Sequence, residues 1–403
     1  MTTLHTAPTS APAKPASTPI AWLRKNLFSS WFNSLLTIAI VFVLGRTLFG
    51  FIWWATTTAK WQVIPANLPL FFVGRFPANQ YWRLALMLAM IGGLGGLTWG
   101  VVARNQPKLL SRNVLIGFGI FALVLLLLPT PFAYRLILLA IEALVLGAIG
   151  AGQQMGRRVP SIAKWLPLAW ILSFFIALWL MRGGFGLPLV QTTAWGGWML
   201  TVFMSVVSIA LSFPFGLLLA LGRQSSLPVI RWLCTIYIEV IRGIPLISIL
   251  FIGLVMVPLF LPAGSRPDLV LRAILGLTLF AAAYQAETIR GGLQAIPKGQ
   301  SEAASALGLN TPLTLGLIVL PQALKISIPA IVGLFISLLQ DTTLVAIVGL
   351  ADLLGISRSI LANPLFIGRY AEVYLFIGVL YWAVCYTMAW AARRLETSLN
   401  SEH

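Results

Sequence analysis

The chain has 403 residues, of which 59 % are hydrophobic and 9 % charged, and its mean hydropathy is +0.92. Soluble domains carry roughly 25 % charged residues, so a soluble globular enzyme and a disordered chain are both excluded. Lys and Arg total 27 against 10 Asp and Glu, a formal net charge of +17. The bases sit in short gaps between apolar runs, which points to membrane topology and not to nucleic acid. The two histidines, His5 and His403, lie one in each tail. Histidine acid-base chemistry is therefore excluded, and no metal is expected. Cys234 and Cys385 lie in apolar stretches without zinc-ligand spacing.

Residues 1–20, rich in Pro, Ser, Thr and Ala, are expected to be a disordered cytoplasmic tail. The first apolar run begins near Trp31, after Arg24 and Lys25, and is longer than a signal peptide's core. Ten candidate spans follow, at about 31–54, 82–103, 113–128, 133–151, 164–181, 196–221, 229–260, 269–290, 326–348 and 371–392. The third is short, and Pro129-Thr130-Pro131 separates it from the fourth. Gly92, Gly96 and Gly100 clear one helix face for close packing. Arg46 and Glu142 each interrupt an apolar span and need water or a partner, for which each is a candidate to the other. Before Glu239, Glu142 is the only acid. The composition shifts near residue 190. Residues 21–190 read as an accessory membrane region, 191–395 as the functional core and 396–403 as a short cytoplasmic tail. The dense base pairs, such as Arg157-Arg158 and Arg393-Arg394, place both termini in the cytoplasm.

The core repeats one pattern. Tyr237-Ile238-Glu239-Val240-Ile241-Arg242-Gly243 is echoed by Tyr284-Gln285-Ala286-Glu287-Thr288-Ile289-Arg290-Gly291. Glu precedes Arg by three residues in both, so each pair can neutralise itself on one helix face. Two roles fit equally: a structural ion pair, or a gate beside a translocation path. Gln340, Asp341, Thr342 and Thr343 form a polar cluster in an apolar region. They are candidates for the substrate path or for a turn satisfied by its own backbone.

A polar gap at about 291–325 holds Ser301-Glu302-Ala303-Ala304-Ser305-Ala306-Leu307-Gly308. Ser301 is expected to cap a short helix that Gly308 ends, and Thr311-Pro312 to restart the chain as N-cap and first helical residue. A helix with so small a surface suits a groove on another protein.

Glu302-Ala303-Ala304, then Gly308, then Ile318-Val319-Leu320-Pro321 resembles the complete EAA loop of ABC importer permeases. The Glu239 and Glu287 stretches resemble polar amino-acid permeases. So does Gln340-Asp341-Thr342-Thr343-Leu344-Val345 with Gly349-Leu350-Ala351-Asp352-Leu353-Leu354. The added N-terminal region resembles one subunit type of the general L-amino-acid importers. The resemblance implies an all-α polytopic protein of the bacterial inner membrane. Its fold would be a type I importer domain of about five core helices, plus about five extra N-terminal ones.

It also implies a permease that forms the translocation path and is not itself an enzyme. Glu302, Ala303, Ala304 and Gly308 would carry coupling to two cytoplasmic ATPases. Those partners bind the ATP and magnesium, and this chain needs no cofactor. The other implied partners are a second, homologous but non-identical permease, a periplasmic amino-acid-binding protein, the L-amino acid and membrane lipid. A permease for another small solute keeps the same loop. An ion-coupled transporter would rely on Asp341 and Glu142. A membrane enzyme lacks any catalytic constellation in these spans.

Overall fold

The computed structural model describes residues 18–106, 109–262 and 265–400. The expected tail at 1–20 falls mostly outside them, but Pro19 and Ile20 already belong to a helix. The chain divides into two compact units, one ending at Trp61 and one beginning at Gln62.

In the first unit, α1 (Pro19–Asn26) starts where the Thr18 hydroxyl accepts the Ala21 N–H. Then α2 (Trp31–Trp53) starts on Ser30, whose hydroxyl accepts the Asn33 N–H at 3.2 Å. A π turn extends α2 to Thr58. No residue of α2 is buried. Its apolar surface needs lipid or another chain to cover it.

The second unit begins with α3 (Val63–Val73), α4 (Tyr81–Val102), α5 (Arg112–Leu127), α6 (Phe132–Arg158) and α7 (Leu166–Arg182). Glycines set the α4–α6 approach. A Cβ on Gly92 would meet Val145, and one on Gly100 would fall 2.2 Å from the Ile149 carbonyl oxygen. Gly152 and Gly156 face Leu97 and Val101 in return, and Tyr81 meets Tyr134 edge to face. These pairs advance together along both helices, so α4 and α6 run parallel. The short α5 between them must therefore run back across.

Next come α8 (Gly197–Arg223), α9 (Pro228–Gly243), α10 (Leu246–Phe251), α11 (Val257–Phe260) and α12 (Leu269–Gln294). The same reasoning applies here. Ser208 Oγ donates to the Ile274 carbonyl, Gln285 Nε2 to Ser212 Oγ at 2.8 Å, and Arg223 reaches Glu287. So α8 and α12 are parallel, and the α9–α11 segment returns between them with a bend of 103° at Ile244-Pro245. Pro245 explains the bend, because it cannot donate the helix bond and disfavours a helical Ile244.

The chain closes with α13 (Lys298–Ala306), α14 (Thr311–Thr314), α15 (Leu320–Asp341), α16 (Leu353–Leu361) and α17 (Tyr370–Asn400). Among the described residues eight helices are long and apolar enough to cross a membrane, and the bent pair makes a ninth. The tenth expected span is α5, which has 16 residues. The expected tail from 396 is helical as far as Asn400.

Helix α12 is the axis of the core. Ala273, Gly276, Ala281, Ala282, Ala283 and Ala286 are buried along it, and small residues let neighbouring backbones approach where lipid gives no hydrophobic drive. It packs on α8 through Leu200, Met204 and Leu277, and on α15 through Ile289, Ala323 and Ile331. A smaller cluster joins α3, α16 and α17 through Phe71, Leu353, Ile356, Val373 and Ile377. Three connections meet at this end. The Gly197 N–H donates to the Ala351 carbonyl at 2.8 Å, and at φ +60 a Cβ there would lie 2.3 Å from the Phe71 carbonyl oxygen.

Candidate functional site: the charged cluster and the coupling helix

The end of the bundle opposite Gly197 collects charge. Arg223 is the last residue of α8, Glu239 and Arg242 lie near the end of α9, and Glu287 and Arg290 lie in the last two turns of α12. The second expected pair forms: Arg290 Nε donates to Glu287 Oε2 at 2.9 Å. The first does not. Glu239 Oε1 instead takes Arg223 Nη2 at 2.8 Å, and Arg242 turns to Glu287 at 3.8 Å. Arg223 Nη1 also reaches Glu287 Oε2, at 3.2 Å. The helix bend ends α9 directly after Arg242, so that side chain leans toward α12 and lies over the Tyr284 ring at 5.5 Å. The result is one network of three arginines on two glutamates, centred on Glu287. Arg242 is its loosest member, because its buried Nε has no hydrogen-bond partner.

Sequence reasoning missed Arg223 as a member. It stands 16 and 64 residues from its two acids, beyond any helical spacing.

Helix α13 leaves this same end. Pro297, with φ −59 and ψ 137, starts it, so Ser301 lies inside the helix and is not its cap. Glu302 and Ala303 are exposed, while Ala304 is 1 % exposed and faces the body. The helix stops on a Schellman turn. Gly308 takes φ +80, its N–H donates to the Ser305 carbonyl at 3.0 Å, and Leu309 N–H donates to the Ala304 carbonyl at 3.1 Å. The next helix is capped one residue earlier than the sequence suggests. Asn310 Oδ1 accepts the Leu313 N–H at 3.1 Å, and Thr311 is the first helical residue. Gln322 Nε2 reaches Gln300 Oε1 at 3.4 Å and ties α13 to α15. Leu307, 81 % exposed, stands at the tip. The whole is a short anchored helix with an open face, suited to docking against another protein.

The third group lies toward the Gly197 end of α15. Gln340 is exposed, Asp341 and Thr343 are half-buried, and Thr342 is fully buried. The Thr342 and Thr343 hydroxyls donate to the Leu339 and Gln340 carbonyls, and Gln340 Nε2 meets Cys385 Sγ at 3.6 Å. These side chains are spread around the helix end and do not share one face. Beyond them the structure adds Asp352, fully buried, which caps α16 by accepting the Leu354 and Gly355 N–H groups at 3.2 and 2.9 Å. Burial raises its pKa to about 7, against the lowering effect of those bonds and of Arg358. Among the described residues no group of His, Cys, Asp and Glu could hold a metal.

Residues 212–401 match the family described as "Binding-protein-dependent transport system inner membrane component". The chain is 37 % identical to the inner membrane amino-acid ABC transporter permease protein YhdY of Escherichia coli, over 97 % of each chain. It is 36 % identical to the glutamate/glutamine/aspartate/asparagine transport system permease protein BztC of Rhodobacter capsulatus, over 98 % of this chain and 97 % of that one. Over half of its length it is 38 % identical to the probable glutamine ABC transporter permease protein GlnP of Bacillus subtilis, of which it covers 91 %. Members of this family are permease subunits that work with binding proteins and with separate ATPase subunits. With these relatives, the helical bundle and its protruding α13, the chain belongs to the family of binding-protein-dependent transport system inner membrane components, as a multi-pass ABC permease subunit of the inner membrane.

Proposed function

We propose that the chain imports polar L-amino acids as one of two non-identical permeases, driven by two cytoplasmic ATPases and loaded by a periplasmic amino-acid-binding protein. ATP and magnesium stay on the ATPases, and the permease carries no cofactor. In this reading both termini, α13 and the charged cluster are cytoplasmic, and the Gly197 end is periplasmic. The 191–395 core forms the path, and the 21–190 region is an accessory. The relatives' names support the cargo class. The observation that carries the coupling role is α13. It is fixed to the body by Ala304 and Gln300 while Glu302, Ala303 and Gly308 stay open to a partner.

Coupling requires the ATPases to favour one of two membrane conformations. The charged cluster is the element that could differ between them. Arg242 holds Glu287 only at 3.8 Å and sits at the α9 bend, so movement of α9 breaks this contact first. Glu239, Arg242, Glu287 and Arg290 then act as the inner gate. Of the polar group Gln340, Asp341, Thr342 and Thr343, Gln340 and Asp341 keep exposed polar surface and meet the path nearer the outer end, while the Thr342 and Thr343 hydroxyls close the helix end on the Leu339 and Gln340 carbonyls.

Proteoliposomes holding the complex are tested with a labelled amino-acid panel, with and without ATP and the binding protein. Uptake that needs both supports the importer. Uptake driven by an ion gradient without ATP overturns it.

A further inference from the structure

A small cavity with both apolar and polar walls opens between α3 and α16 at the Gly197 end. It measures about 150 Å³ and is lined by Asn67, Leu70, Arg75, Ile356, Ser359, Ile360 and Asn363. Its two walls differ in origin. Helix α16 lies within the family-matched residues 212–401, whereas α3 and Arg75 lie outside them.

The cavity is rigidly built. Phe71 is fully buried, Ile356 is 1 % and Ile360 3 % exposed, and they pack in one cluster that holds α3 on α16. Asn67, 7 % exposed, donates to the Val63 carbonyl at 2.8 Å. Asn363 Oδ1 is engaged by the Leu365 N–H at 3.1 Å, which leaves its NH2 as the free end. Arg75 in its lining is exposed, while the acids of the flanking helices, Asp352 and Glu372, are buried at 0 % and 3 %. The rim is therefore positive, and the free donors are a guanidinium and an amide. That set takes a carboxylate. The volume is below the roughly 300 Å³ at which small-molecule pockets begin, so one side chain fits it better than a whole substrate.

We propose that this cavity receives an Asp or Glu side chain of the periplasmic binding protein when that protein docks. The accessory region thereby helps to select the binding protein through Arg75. The proposal rests on the importer reading, which places this end outside.

The test uses the intact complex in nanodiscs. The probe is the binding protein that stimulates the wild-type ATPase activity, titrated at several salt concentrations. Arg75→Glu should raise the half-saturating concentration about tenfold, and Arg75→Gln about threefold with a flatter salt dependence. Basal ATPase activity and membrane abundance should stay unchanged, and Arg266→Gln, an exposed base outside the cavity, should have no effect. An unchanged half-saturation in Arg75→Glu overturns the proposal. So does a shift seen only in nanodiscs containing phosphatidylglycerol, which would assign the cavity to a lipid headgroup. If no binding protein stimulates the wild-type complex, the importer reading fails and carries this proposal with it.

Discussion

Glu287→Gln tests the charged cluster most directly. The glutamate carries contacts from Arg290, Arg223 and Arg242, the last two at 3.2 and 3.8 Å, and its side chain is 24 % exposed. At an effective dielectric of about 20, each of those two contacts is worth about 4–5 kcal/mol of Coulomb energy before desolvation offsets most of it. Removing the charge leaves three arginines facing one glutamate, so the net cost should be about 2–4 kcal/mol. Glu239 makes one contact, to Arg223, and its side chain is 55 % exposed. Glu239→Gln should therefore cost about 1 kcal/mol or less. The assay is thermal unfolding of the purified complex, with both variants and the double variant Glu287→Gln with Arg242→Gln. The double variant should recover part of the loss, because it removes one uncompensated arginine. Equal losses in the two single variants, or no recovery in the double, would refute the view that Glu287 is the centre.

Three further outcomes are expected. Gly308→Val should abolish transport while the protein stays in the membrane. No atom blocks a Cβ there, but φ +80 costs an L residue about 1–2 kcal/mol and misplaces the end of α13. Glu302→Lys should do the same without strain, and normal uptake at normal abundance in either variant would remove the coupling role. For Asp352, the folded pKa of about 7 lies above the ordinary carboxyl value of 3.8. The native state therefore binds more protons between those values, and its stability should fall as pH rises from about 4 to 7. Asp352→Asn should flatten that slope in thermal unfolding measured across pH, and an identical slope in the variant would show that Asp352 does not titrate in this window.

Apolar runs made the long helices legible, because in lipid a span must be both helical and apolar over its whole length. The short helices escaped. In α3, Pro65 and Pro69 punctuate an 11-residue run that reads as a loop. In α16 the buried residues Leu353, Ile356 and Ile360 do repeat at helical spacing, but nine residues are too few to stand out between two spans. The EAA helix was legible in place and extent at its glycine end. Its start was not, since Pro297 outranks Ser301: a fixed φ at the entry decides where the helix begins. The paired Glu-Arg repeat was legible as a charged site, and its wiring was not. Local spacing favours Glu239 with Arg242, and tertiary packing instead brings Arg223 to Glu239 from the end of α8.

The parallel course of α4 and α6 has a consequence for the surrounding bilayer. It obliges α5 to cross, yet its 16 residues rise only about 24 Å, against a hydrocarbon thickness of about 30 Å. Leu115, Ile120, Phe121 and Leu127 are all exposed along it, so this short wall needs lipid or other protein to cover it. Where lipid covers it, the acyl chains must shorten or splay by several ångströms, which pinches the membrane there. A lipid-covered α5 would favour shorter or more disordered lipids than the full-length spans do.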